Sequence, residues 1–265
     1  MTFRLHRGSV PLLVSIPHMG TGIPGELRAD FVQRALEVED TDWHLDRLYA
    51  FASELGGSVL QPTVSRYVVD LNRPPDDTPM YPGASNTELC PSRFFTGDAL
   101  YREGFALSPE QKAQRRATWW APYHQALQEE IARLKAAHGF ALLWDAHSIR
   151  AEIPWLFEGR LPDLNIGTAD GRSADPAITQ AVAAAAARHP QFTHVVNGRF
   201  KGGYITRQYG RPAEDVHAVQ LEMCQYLYMR EAPPWNYEEA QAAKVQPVVR
   251  EMVEAALAAC RKLYG

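Results

Sequence analysis

Several apolar runs of this sequence end in residues that can do chemistry. The polar groups are His18 after residues 12–16, Asn72 and Arg73 after residues 67–71, His147 after residues 140–144, and Glu222 after residues 218–221. Buried strands of an α/β sheet end in this way when they deliver polar groups to a site at the carboxyl edge. Imidazole binds metals or transfers protons, and a carboxylate can act as a general base. The sequence therefore predicts four strands that converge on two histidines, an arginine and a glutamate.

A metal site is the first interpretation of the histidines. A catalytic zinc usually has three protein ligands and one open position, and imidazole and carboxylate are common ligands. His18 and His147 supply two ligands, and the acidic stretch 39–46 supplies candidates for the third, namely Asp40, Asp42 and Asp46. A solvated helix start explains such a stretch equally well, because acidic residues favour the helix N-terminus. No compact zinc signature such as H-E-x-x-H is present.

The remaining polar groups have a functional and a structural interpretation each. Arg73 with Asn72 could bind a carboxylate through a bidentate guanidinium, or it could pair with the nearby Asp76 or Asp77. Glu222 follows apolar residues, so burial could raise its pKa and make it a base, although a salt-bridged glutamate is the commoner case. Two further residues of a glycine-containing loop are candidates for anion binding or simple exposure, namely Tyr204 and Arg207.

A glycine pattern near the N-terminus imitates a dinucleotide-binding turn. Residues 20–25 read Gly-Thr-Gly-Ile-Pro-Gly and follow a predicted strand. Pro17 and His18 separate the strand from the glycines, and Pro24 removes a backbone donor where a helix should cradle the pyrophosphate. The pattern therefore does not predict nucleotide binding.

The elements that position these groups alternate between strand and helix. This alternation predicts an α/β domain spanning residues 1–265, with a mixed, mostly parallel central sheet flanked by helices. Additional strands are predicted at residues 58–60, 164–166 and 193–196, and residues 66–71 are predicted as the strand before Asn72. The predicted helices cover residues 39–55, 108–138 and 177–187, and a last helix runs to the end from a cap at Asn236 and Glu239. A cap at Ser108, with Gln111 three residues later, marks the predicted start of the second helix. The long segment 74–102 is either a functional loop that could close over a substrate or a mobile insertion.

Composition excludes several classes of partner. The chain has 265 residues, 46% of them hydrophobic, and a formal net charge of −4 without massed basic residues. Nucleic acid is therefore not an expected partner. No stretch approaches the ~20 apolar residues of a membrane span, and the three cysteines are far apart. We expect a soluble cytoplasmic protein, a monomer or small homo-oligomer, that acts on a small molecule.

Taken in order, these motifs resemble the N-formylglutamate amidohydrolase family over residues 12 to about 230. The matching segments are Ser15-Ile-Pro-His18, Asp42, Ser65-Arg-Tyr-Val-Val-Asp-Leu-Asn-Arg-Pro-Pro75, Asp145-Ala-His-Ser148, Gly202-Gly-Tyr-Ile-Thr-Arg207 and Gln220-Leu-Glu222. The resemblance implies a fold like that of zinc carboxypeptidases and aspartoacylases (phosphorylase/hydrolase-like). It also implies hydrolysis of N-formyl-L-glutamate to formate and L-glutamate, an activity of histidine degradation.

The resemblance implies roles for the metal-binding and catalytic residues. His18, Asp42 and His147 would hold Zn²⁺ or another divalent transition metal, and Glu222 would take a proton from the attacking water. In the wider carboxypeptidase pattern a glutamate ligand follows the first histidine by three residues. Thr21 occupies that position here. The carboxylate ligand must therefore come from elsewhere, and Asp42 is the expected one.

The resemblance also implies how an acidic substrate is held. Formyl-glutamate carries two carboxylates, which call for two cationic groups beside the metal. Arg73 with Asn72, and Arg207 beside Tyr204, are the expected binding residues, and Arg66 would help to stabilise the oxyanion.

Two alternatives keep parts of this prediction. One is a zinc amidohydrolase that acts on another N-acyl amino acid, with the same metal and base but a different pocket. The other is a protein that binds an acidic ligand on the same fold without cleaving it. A binder needs no base, so the presence of His18, His147 and Glu222 together favours an enzyme.

Overall fold

The computed structural model describes residues 2–80 and 86–265. Its described residues form a mixed sheet with the strand order β1-β3-β2-β4-β7-β5-β6. The strands are β1 (Phe3–His6), β2 (Leu12–Ser15), β3 (Ser58–Pro62), β4 (Ala141–Ile149), β5 (Leu164–Gly167), β6 (His194–Val196) and β7 (Val216–Cys224).

The middle of the sheet is parallel and its edges are mixed. Strands β3, β2, β4 and β7 run parallel to one another, β5 is parallel to β6, and the pairs β1–β3 and β5–β7 are antiparallel. Every residue of β4 and β7 is buried. Parallel strands covered on both faces need such continuous apolar runs. The predicted mixed, mostly parallel α/β sheet is confirmed.

Helices cover both faces of this sheet. They are α1 (Leu45–Leu48), α2 (Phe51–Glu54), α3 (Pro109–Arg115), α4 (Ala121–His138), α5 (Pro176–Ala187), α6 (Tyr204–Tyr209) and α7 (Glu239–Tyr264). Leu142 and Trp144 of β4 point into a core that α1, α2, α5 and α7 complete. Leu143 points the other way, into a core with α4 and α6. In the part of the chain described, no helix has the length and apolarity needed to cross a membrane.

The helix around residue 120 contains a local widening. The predicted cap at its start is confirmed, because Ser108 accepts a hydrogen bond from the Gln111 amide and Gln111 accepts one from the Ser108 amide. Between α3 and α4, residues 116–120 form a π-helical turn in which the Ala121 amide donates to the Arg116 carbonyl, five residues back. Pro122 follows immediately and has no amide hydrogen to continue the ordinary ladder.

Three local predictions are wrong. Residues 39–44 are not helical, and the left-handed backbone of His44 (φ 60°) separates them from α1. Residues 66–71 form turns rather than a strand, because their apolar side chains are buried in a loop-rich core instead of a β ladder. The last helix begins at Glu239 after Glu238, with no side-chain cap from Asn236. Part of the long segment 74–102, residues 81–85, lies outside the described residues, so its closure over a substrate stays a prediction.

Candidate metal centre and active site

Three buried side chains meet at the carboxyl end of the central strands. His18 follows β2, His147 lies near the end of β4, and Asp42 lies in the turn before α1. His147 Nδ1 is 3.2 Å from His18 Nδ1 and 3.3 Å from Asp42 Oδ2, and His18 Nδ1 is 3.7 Å from the same oxygen. One ligand atom from each residue lies within 4.8 Å of the other two. These three groups could hold a metal ion.

The geometry separates Asp42 from its two acidic neighbours. Asp42 Oδ2 accepts a hydrogen bond from the Ser148 amide at 3.2 Å, which directs it toward the histidines. Asp40 instead accepts hydrogen bonds from Tyr67 Oη at 2.8 Å and Arg150 Nη2 at 2.9 Å. Asp46 is exposed. Residue 42 precedes α1 although the predicted helix began at residue 39, so Asp42 and Asp46 do not share a helical face.

The second nitrogen of each imidazole faces a buried carboxylate. His18 Nε2 is 2.7 Å from Asp70 Oδ1, and His147 Nε2 is 3.1 Å from Asp145 Oδ1. That Asp145 oxygen has no hydrogen-bonding partner of good geometry among the described residues. When Nδ1 binds a metal, Nε2 carries the proton, and a carboxylate beside it fixes this tautomer. The two imidazoles and one carboxylate therefore fit zinc or another divalent transition metal.

Asn72 competes with Asp145 for the same imidazole nitrogen. Its amide orientation is set by Oδ1, which accepts a hydrogen bond from the Ile205 amide at 2.8 Å. Asn72 Nδ2 consequently lies 3.0 Å from His147 Nε2 and favours the tautomer protonated at Nδ1. Asp145 favours the opposite tautomer, the one that leaves Nδ1 available to a metal. A metal held by His147 Nδ1 would require the tautomer that Asp145 favours.

Burial and opposite charges shift the pKa values of Asp42, Asp70 and His147. Burial alone would raise the pKa of Asp42, but hydrogen bonds with His147 and His18 lower that pKa below its usual range. Burial would likewise raise the pKa of Asp70, yet His18 and Arg66 lower it. For His147, burial acts to lower the pKa, and the charge of Asp145 raises it well above 6.5. The carboxylates are therefore available as anions around a cation.

Glu222 lies beside the candidate metal ligands. Glu222 of β7 is paired with His147 of β4 in the parallel register, so both side chains project from the same face. It lines one cavity with all three candidate ligands. Burial raises the pKa of Glu222 to about 8; the charge of His147 acts to lower it and that of Asp42 to raise it. A buried carboxyl group with a pKa near neutrality can both accept and donate a proton.

Arg66 is held over the same cavity by two acids and an aromatic ring. Its Nη2 donates to Asp70 Oδ2 at 2.7 Å, and Nη1 is 3.8 Å from Asp42 Oδ1. Its guanidinium carbon lies 4.6 Å from the centre of the Phe95 ring. Burial acts to lower the pKa of Arg66, but Asp70 and Asp42 raise it, so the cation persists in the buried site.

Asn72 and Arg73 also line the cavity. Arg73 donates to the Thr87 carbonyl and hydroxyl at 3.0 Å, and its Nη1 donates to the Asn72 carbonyl at 2.8 Å. Among the described residues Arg73 forms no ion pair with Asp76 or Asp77, and Asp77 pairs with Lys112 at 3.0 Å instead. Arg73 therefore faces the site with an orientation fixed by uncharged groups.

The two residues of α6 that were predicted to bind substrate are not part of the cavity lining described above. Neither Tyr204 nor Arg207 is among the described residues that line the cavity. The Tyr204 amide donates to the Asn72 carbonyl at 3.4 Å, and Arg207 Nε donates to the Gly202 carbonyl at 2.8 Å. Arg199, which sequence reasoning missed, does line the cavity and donates to the Leu156 carbonyl at 3.0 Å. The sequence offers one signal for Arg199, which is its place in the predicted glycine-containing loop of residues 198–211.

The N-terminal glycines have a packing role. A Cβ on Gly20 would lie 2.1 Å from the Val64 carbonyl oxygen, and one on Gly22 would lie 2.8 Å from the Thr63 carbonyl oxygen. The chain therefore needs glycine here so that two backbone segments can approach closely.

The mixed α/β sheet carries a candidate metal centre and a buried glutamate at the ends of its central strands. This combination of fold and site is typical of a hydrolase. The N-formylglutamate amidohydrolase family model matches residues 10–229. The chain belongs to this family and is an amide-hydrolysing enzyme.

Relatives agree with this assignment over nearly the whole chain. An N-formylglutamate deformylase of Pseudomonas aeruginosa is 52% identical over 259 residues, which cover 98% of this chain and 97% of the relative. One of Pseudomonas putida is 47% identical over 253 residues, covering 96% and 94%. The crystal structure of N-formylglutamate amidohydrolase from Ralstonia eutropha is 26% identical, with a TM-score of 0.81 and coverage of 98% and 97%.

Proposed function

We propose that this enzyme hydrolyses N-formyl-L-glutamate to formate and L-glutamate, with zinc or another divalent transition metal held by His18, Asp42 and His147. The observation that carries the proposal is one cavity lined by these three groups, by Glu222 and by several arginines. Such a cavity suits an amide that bears carboxylates. The names of the two Pseudomonas relatives support the substrate. We assign the reaction to histidine degradation on the resemblance alone.

The substrate's two carboxylates require two cationic partners. We propose that Arg73 and Asn72 bind one carboxylate, since both line the cavity beside His147. For the second carboxylate, Arg199 has the advantage of lining the cavity, and Arg207 with Tyr204 is the pair expected from the motif. Replacing Arg199 or Arg207 by glutamine and measuring KM for N-formyl-L-glutamate distinguishes these two candidates. Only the loss of the arginine that binds the carboxylate should raise KM by tenfold or more.

The chain's own residues account for proton transfer and charge stabilisation. The chemistry that a divalent metal supplies at such a site is Lewis acidity toward the amide carbonyl and acidification of the attacking water. Glu222 accepts the proton of that water and later donates it to the leaving amine, a role worth about 10² to 10⁴ in rate. Arg66 faces the developing oxyanion, and a donor in that position contributes about 10² to 10³ in kcat.

Formate release from N-formyl-L-glutamate tests the proposal. We would measure it with purified protein as isolated, after chelation, and after zinc is restored. Release that disappears on chelation and returns with zinc is the expected result. Protein that contains zinc but releases no formate would contradict the named substrate. Turnover of N-acetyl-glutamate or another N-acyl amino acid in the same assay would then identify a related amidohydrolase, and no turnover at all would indicate a binding protein.

A further inference from the structure

Two aromatic side chains donate hydrogen bonds to the backbone of the segment that carries Asn72 and Arg73. His124 Nε2 donates to the Leu71 carbonyl at 2.8 Å, and Trp120 Nε1 donates to the Arg73 carbonyl at 3.0 Å. These carbonyls lie on either side of Asn72. Because the segment is not part of the sheet, no strand ladder fixes its backbone. The two hydrogen bonds therefore help to fix its backbone, together with the one from the Asn72 amide to Asp70 Oδ1 and the one from the Tyr204 amide to the Asn72 carbonyl.

The two aromatic rings are themselves firmly placed. Trp120 and His124 lie one helical turn apart and stack with ring centres 3.7 Å apart. His124 Nε2 must carry its proton to donate to a carbonyl, so Nδ1 accepts from Tyr209 Oη at 2.8 Å. Burial lowers the pKa of His124 to about 4, so the ring is neutral at physiological pH. The His124 ring is thus held in one tautomer by hydrogen bonds at both of its nitrogens, and it stacks on the ring of Trp120.

Trp120 is the last residue of the π-helical turn, and His124 follows in the first turn of α4. An ordinary helix would carry the Ala121 amide to the carbonyl four residues back, but here it donates to Arg116, five residues back. The extra residue changes which side chains face the sheet from residue 121 onward. Single π turns within α-helices are frequent at functional sites.

We infer that Trp120 and His124 are positioning residues that hold Asn72 and Arg73 in the geometry that binds a substrate carboxylate. This inference rests on the proposed function, in which Asn72 and Arg73 touch the substrate. Neither aromatic residue lines the cavity among the described residues, so both act through the backbone of the Asn72 segment.

Trp120→Phe tests the inference, because it removes the indole donor and keeps an aromatic ring. Trp119→Phe is the matched control, since Trp119 lies in the same π turn, is also half-buried, and makes no hydrogen bond through its indole nitrogen among the described residues. The expected result is a roughly threefold to tenfold rise in KM for N-formyl-L-glutamate in Trp120→Phe, with kcat within about twofold. Trp119→Phe should change neither.

Substrates that lack one carboxylate distinguish a positioning role of Trp120 from general structural damage caused by its substitution. We would compare N-formyl-L-glutamine and N-formyl-L-isoglutamine, each missing a different carboxylate. The loss caused by Trp120→Phe should shrink to less than about twofold with the analogue that lacks the carboxylate bound at Arg73. Tyr209→Phe, which removes the partner of His124 Nδ1, should show the same substrate pattern and serves as the second variant.

The outcomes distinguish this inference from the proposed function. Equal losses with all three substrates, or equal losses in Trp119→Phe and Trp120→Phe, would overturn the positioning role. Calorimetric binding of L-glutamate gives a readout independent of turnover, and its Kd should rise in Trp120→Phe by the same factor as KM. A wild-type enzyme that neither cleaves formyl-glutamate nor binds glutamate would overturn both.

Discussion

A single methyl group at Gly203 should displace Asn72 and disable the site. A Cβ added to Gly203 would lie 2.2 Å from Asn72 Nδ2 and 2.6 Å from its Cγ and Oδ1. Ordinary contact begins at about 3.4 Å, so the amide must move by more than 1 Å. The φ of Gly203 is −81°, which any residue adopts, so the effect of alanine is steric.

The size of the effect follows from the contacts that the amide loses. Asn72 Oδ1 would leave the Ile205 amide at 2.8 Å, and Nδ2 would leave the position from which we propose that it binds a substrate carboxylate. Two hydrogen bonds at about 1 to 1.5 kcal/mol each give about 2 to 3 kcal/mol, or roughly 30- to 150-fold in kcat/KM. A misplacement of about 1 Å in a catalytic site has a similar cost.

Formate release measured for Gly203→Ala checks this prediction. Gly25→Ala is the control, because a Cβ at Gly25 meets no atom within 4 Å, and it should retain wild-type kcat/KM. If the methyl group acts through Asn72, then adding Gly203→Ala to an Asn72→Ala background should cost little more. A folded Gly203→Ala enzyme with kcat/KM within twofold of wild type would refute the reasoning.

Three further predictions concern the proposed base, the carboxylate beside His18 and a buried histidine. Glu222→Gln should lower kcat by about 10² to 10⁴ while metal content stays unchanged, as measured by turnover and metal analysis. Asp70→Asn should weaken zinc binding about 10- to 100-fold in a zinc titration, because His18 loses its carboxylate partner; Asp46→Asn, at an exposed site, should not. The unfolded chain binds a proton at His124 near pH 6.5 and the folded chain only near pH 4, so stability should fall by about 3 kcal/mol as the pH drops through that window. His124→Gln should show a shallower pH dependence of its free energy of unfolding over the same range, and an identical slope would contradict this assignment.

Sequence patterns predicted the parts of the fold that short stretches of sequence determine. The runs of β4 and β7 are buried on both faces, so their continuous apolar character identified them and the groups at their ends. The capping pair of Ser108 and Gln111 placed a helix start correctly, because its hydrogen bonds are local. These predictions needed no knowledge of distant contacts.

Other features depend on contacts that no local pattern reports. Residues 66–71 are as apolar as a strand, but they are buried by packing and not by a ladder. Asp42 is distinguished from Asp46 by the left-handed turn at His44 and by its hydrogen bond from the Ser148 amide, which is 106 residues away. Arg199 reaches the cavity from a loop, and its position depends on a carbonyl 43 residues away.

The separation of the candidate ligands along the chain sets a time order for metal loading. His18 and His147 are 129 residues apart, and their ring nitrogens meet only after β2 and β4 have paired. At 5 to 20 residues per second, roughly 6 to 26 s of synthesis separate the two histidines. A growing chain that ends before β4 has an incomplete ligand set and no ordered cavity. In the proposed metal site, capture of the ion would therefore follow long-range strand pairing, and the metal content of the protein would report the yield of completed folding.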